Sequence, residues 1–122
     1  MNELSVHDTV LSVFAILSEK ENFKEIDRQK IHNVFYSSKN KYSLLNDMFF
    51  DTNGHTPYSE GLEDIFSTCV LSGLIDSPRP PAKYRLNEAL NGFYKNIKEK
   101  HPEQIEELEN LADDFYKLYL KN

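Results

Sequence analysis

Leu62, Ile65, Phe66, Cys69 and Val70 recur at helical spacing between Ser59, a residue suited to cap a helix start, and Gly73, a residue suited to end one. The segment after that stop constrains the chain most. "LID" leads into the proline-studded turn "SPRPPA", and "KYRL" then alternates Tyr84 and Leu86 against Lys83 and Arg85. Asn87 is placed to cap another helix carrying Leu90, Phe93, Tyr94 and Ile97. Helix, glycine, short hairpin and helix in this order make a winged-helix pattern. The predicted fold class is therefore mainly α: a winged-helix-like domain of five or six helices with one short two-stranded β-hairpin, its strands near 74–77 and 83–86.

The remaining pieces fit one domain of 122 residues, a length that buries roughly two thirds of the unfolded surface around a single core. Ser5 with Asp8 opens a first helix, about 6–19, in which Val6, Val10, Val13, Phe14 and Leu17 share a face. "SEKENFKEID" reads as a polar connection, and Asp27 as the cap of a second helix with Ile31, Val34 and Phe35 inward. "YSLLNDMFFD" fits a short helix followed by a strand equally well as other arrangements, since periodicity does not separate them. The winged-helix-like core spans about 6–100. A C-terminal amphipathic helix, about 102–121, comes next, with Pro102 near its start and Ile105, Leu108, Ala112, Phe115 and Tyr119 as its apolar stripe.

Composition narrows the function classes. A single cysteine, Cys69, allows no internal disulfide and sits on the apolar face of the third helix, where it reads as core. His7, His32, His55 and His101 are too scattered for a metal site, and the four glycines form no phosphate-cradling loop. No catalytic residue, metal or cofactor is predicted. With no apolar run near ~20 residues and no leader-like start, the protein is expected to be cytoplasmic and away from membranes.

Charge bears on the DNA question that a winged helix raises. The net charge is -6, which opposes nonspecific binding to phosphates. The third helix, the element that would enter the major groove, carries Glu60, Glu63 and Asp64 and no cation. The alternative is a transcription regulator contacting DNA through a basic wing, with Arg79, Lys83 and Arg85 supported by Arg28, Lys39 and Lys41. The preferred surface is instead "NGHTPYSEGLED", in which His55, Tyr58, Glu60, Glu63 and Asp64 face a basic protein partner, Tyr58 as the anchor and the carboxylates as a steering rim. The C-terminal stripe either closes over the chain's own helices or forms a homodimer seam.

From about residue 28 to about 95 the pieces "QKIHNVFY", "MFF", "TPYSEGL", "LSGLI" and "YRLN" before "ALNGF" resemble the Panacea, or SocA-like, antitoxin domain family. Thr56 departs from that family's glycine before the proline. The resemblance implies a small protein of bacteria, phages or mobile elements that binds a partner protein, often a toxin, and it carries over no catalytic residue.

Overall fold

The computed structural model describes residues 4–20, 25–52, 54, 56–76 and 83–121; His55 and Arg79, and the side chain of Lys83, lie outside the described residues. Helix α1 (Val6–Ser18) starts where the Ser5 hydroxyl accepts the Asp8 N–H at 3.0 Å. It is buried on most of its circumference, with Val10, Leu11, Val13, Phe14 and Leu17 fully enclosed. A short strand β1 (Glu25–Asp27) comes next, and the Asp27 carboxylate caps α2 (Arg28–Ser38) by accepting the Lys30 N–H at 3.1 Å.

A single 3₁₀ turn (Ser43–Leu45) buries Leu44 and Leu45, and Met48 is buried just beyond it. The ambiguous stretch at 42–56 thus has no α-helix and no ladder strand among its described residues. Its one sheet-like contact is an isolated bridge between Asp51 and Tyr58, with N···O distances of 2.6 and 3.0 Å, which closes the intervening loop.

Helix α3 (Glu60–Ser72) begins at Ser59, whose hydroxyl accepts the Leu62 N–H at 3.1 Å. It ends at Gly73, φ 78°, where Gly73 N–H reaches the Val70 carbonyl and Leu74 N–H the Cys69 carbonyl. Those two bonds are the Schellman pattern, and only a residue at ease with positive φ completes it.

Strands β2 (Ile75–Asp76) and β3 (Lys83–Leu86) then pair antiparallel, but β1 pairs with the other edge of β3, so the sheet has three strands in the order β1-β3-β2. The third strand corrects the two-stranded expectation. Three residues are too few to show alternation in a sequence, and "EID" acquires its strand character only from β3. The register sets Ile26 opposite Tyr84 and Ile75 opposite Leu86, and all four are buried. Arg85, one residue out of phase with the buried pair, is exposed.

Helix α4 (Ala89–Lys100) starts with the Asn87 side chain accepting the Ala89 N–H at 2.9 Å, and after a 3₁₀ turn (Pro102–Gln104) α5 (Ile105–Lys121) returns across the molecule. It packs on α1 and α2, burying Leu108, Leu111, Ala112 and Phe115. The apolar stripe therefore closes over the chain's own helices. Aromatic rings tie the layers together: Phe14 contacts Phe35 and Phe66, Phe35 meets Phe115 at 4.8 Å, and Phe66 stacks on Tyr84 at 4.8 Å. No helix among the described residues is long and apolar enough to cross a membrane.

Candidate functional site

Two capping residues determine what faces what. Asp27 starts α2 so that Arg28 and His32 stand one turn apart on one side of it. Ser59 starts α3 so that Glu63 lies just inside its first turn. The three side chains meet. Arg28 grips Glu63 with both Nε, at 2.8 Å from Oε2, and Nη2, in contact with Oε1. His32 Nε2–H donates to Glu63 Oε2 at 2.6 Å.

The other His32 nitrogen is occupied as well. Ser59 N–H donates to Nδ1 at 3.1 Å, which makes Nδ1 an acceptor and places the ring proton on Nε2. Phe66 approaches the ring edge-on and Tyr58 stacks on it with centroids 5.3 Å apart. With 1% of its surface exposed and both nitrogens used, His32 is not arranged to serve as a base or a metal ligand. Its arrangement instead links the start of α3 to α2. Burial pushes the Glu63 carboxyl up, but hydrogen bonds from Arg28 and His32 and the nearby guanidinium outweigh it and hold it below its ordinary value. Glu63 in turn holds Arg28 more firmly protonated than usual.

Tyr58 divides two cavities. A smaller one of about 340 Å³ is lined by Asp27, Arg28, Gln29, His32, Tyr58 and Glu63. On its other side a groove of about 790 Å³ runs between residues 47–51 and the first turns of α3. Met48, Leu62 and Ile65 supply buried apolar surface to it, Phe49 stands 80% exposed at its edge, and Tyr58 is 42% exposed. Phe50 also lines it while packing edge-on against Tyr36 at 5.4 Å.

Of the residues expected to face a partner, Tyr58 and Glu60 border the groove and Asp64 is exposed on the outer side of α3. The Glu63 carboxylate is turned inward, to Arg28 and His32. Arg28, expected to support a DNA-contacting wing, is engaged by Glu63. Arg85 lies in register with Glu25 on one side and Asp76 on the other, so cross-strand neighbours of opposite sign flank its charge. Lys20 and Lys30 lie over the rings of Tyr116 and Tyr119. Cys69 is buried, and burial pushes its thiol up to about 12.

The groove-forming residues 47–50 and the structural role of His32 escape sequence reasoning. The only local signal for His32 is its place one turn after Arg28; its partner Glu63 lies 31 residues away. No group of three or more metal-binding side chains occurs among the described residues. No family model, curated protein or solved structure matches the chain.

Proposed function

We propose that this chain is a noncatalytic, cytoplasmic protein-binding module with a winged-helix-like arrangement, antitoxin-like or an inhibitor or adaptor in conflict between bacteria and phages or mobile elements. The observation that carries this reading is the outward face of α3. Gly61, Asp64, Ser67, Thr68 and Leu71 are exposed along it, Leu71 at 88%, and no cation stands among them. Insertion of that face into a major groove would set a carboxylate against phosphates and leave a leucine at the base edges. A protein surface suits it better, since an exposed leucine on the same face as a carboxylate matches an apolar spot edged with lysine or arginine. The resemblance to Panacea antitoxin domains supports the same class of partner.

The test combines two measurements. In a mobility-shift titration at low salt, no DNA binding is expected at micromolar protein. Affinity capture from the native cell is expected to recover a stoichiometric protein with the wild type and to lose it with Asp64→Lys/Leu71→Ser, both positions being exposed. Tight, salt-sensitive DNA binding, abolished by Arg79→Ala/Lys83→Ala/Arg85→Ala, would replace this reading with a DNA-binding regulator.

A further inference from the structure

We infer that the groove beside Tyr58 is a docking site for a short, basic, amphipathic segment of a partner protein, which sets apolar side chains on the groove floor and lysine or arginine against its rim. The inference rests on the protein-binding reading and adds the place and the chemistry of the ligand.

The groove selects its ligand through its lining. The floor is apolar, from Met48, Leu62 and Ile65, and Phe49 and Tyr58 offer exposed ring surface at its sides. Among the described residues, every ionisable group of the lining other than the Tyr58 phenol is a carboxylate: Asp47, Asp51 and Glu60. An apolar floor ringed by charge of one sign selects a ligand with apolar side chains and the opposite charge.

One feature of the site pulls the other way. The start of α3 opens near the groove, and a helix N-terminus favours anions through a partial charge of roughly half a unit. At that end Ser59 Oγ already takes the Leu62 N–H. Asp47 and Glu60 set two full negative charges against that half charge, so the rim is negative. A cationic ligand therefore wins.

The groove's size and walls also fit a segment. A volume of about 790 Å³ takes a few side chains, not a whole domain face. The Asp51–Tyr58 bridge, the Met48 N–H bond to the Leu45 carbonyl at 3.0 Å and the Tyr58 ring seated on His32 hold the walls before any ligand arrives. Such preorganisation lowers the entropic cost of binding. A second copy of this chain is a poor occupant, because it would bring its own charge of -6 to the same acidic rim.

The test uses fluorescein-labelled helical peptides of about twelve residues: one of leucine and lysine, one of leucine and glutamate, one of serine and lysine. Amide chemical shifts of the full chain are followed during titration. The leucine–lysine peptide is expected to bind and to move amides of residues 47–51 and 58–65, and the other two to bind at least about tenfold more weakly. Phe49→Ser and Asp47→Lys/Glu60→Lys change exposed positions only and are each expected to weaken binding by about tenfold or more, with an unchanged thermal melt for Phe49→Ser and only a small drop for the pair, which sets a lysine at the start of α3. Shifts centred elsewhere, equal binding of the leucine–glutamate peptide, or unaltered affinity of the variants would overturn the proposal. The same variants separate it from the broader reading in the capture experiment. A native protein partner retained in full by Phe49→Ser and by Asp47→Lys/Glu60→Lys removes the groove and leaves the protein-binding function standing, whereas recovery of DNA in place of protein removes both.

Discussion

At Glu63 one carboxylate joins α2 to α3, and its pH dependence is set by the direction in which its proton affinity has moved. The folded state holds the carboxyl below its ordinary 4.5, so the folded state favours the charged form more than the unfolded chain does. The stabilisation is fully present above 4.5 and is lost as pH falls through the lowered folded value. Glu63→Gln keeps an acceptor for His32 but removes the charge that faces Arg28. Because the Arg28 side chain is partly exposed, solvent screens the pair, and the expected loss near neutral pH is modest, about 1–2 kcal/mol. Urea unfolding of wild type and variant should show that gap at pH 7 and a shrinking gap as pH drops below 4.5; a gap independent of pH would exclude the charge as its source. Ser59, Asp27 and Gly73 are legible as caps because a cap acts on its own neighbours. His32 is not, because its bonds run to Ser59 and Glu63 on another element, and a histidine beside Ile31 looks the same whether or not such partners exist.

Among the elements, helices are readable and short strands less so, for a reason visible in the sheet. Helix α3 carries its start, its apolar face and its stop within its own residues, whereas β1 is three residues whose pairing partner comes from the far side of α2 and α3. Gly73, which ends α3, and Gly92, inside α4, allow a direct test of how far local backbone rules govern this chain. A Cβ would meet nothing within 4 Å at either position, so packing is removed from the comparison. At Gly73, with φ 78°, Gly73→Ala forces an L residue into left-handed backbone and should cost about 1 kcal/mol, with Gly73→Asn costing less. At Gly92, exposed within α4, Gly92→Ala should instead stabilise by about 0.5–1 kcal/mol. Denaturant midpoints of the variants measure both, and effects of the same sign at the two positions would contradict the account.

For the molecule as a whole, α5 decides between a chain that completes its own core and one that completes it with a second copy. The heptad-like rhythm of Ile105, Leu108, Ala112, Phe115 and Tyr119 is compatible with either, since a buried seam and a dimer seam share the same periodicity. Within the folded chain the stripe already has partners. Phe115 is fully buried against Phe35 of α2, the Tyr119 hydroxyl accepts the Asp27 N–H at 2.8 Å, and the Tyr42 hydroxyl donates to Asp114, so both the stripe and its flanks are joined to earlier parts of the chain. Light scattering should therefore give a mass near 14.3 kDa at every concentration. Phe115→Ala should lower the unfolding free energy by about 3–5 kcal/mol, a large share of the roughly 5–15 kcal/mol typical of a domain. A dimer seam would behave differently. Its thermal midpoint would rise with protein concentration by mass action, and the same substitution would shift association more than the stability of each copy. Melting curves recorded over a hundredfold range of concentration, on the order of micromolar upward, should superimpose for the wild type, and for Phe115→Ala they should superimpose at a lower temperature; a midpoint that climbs with concentration would assign the stripe to a partner copy.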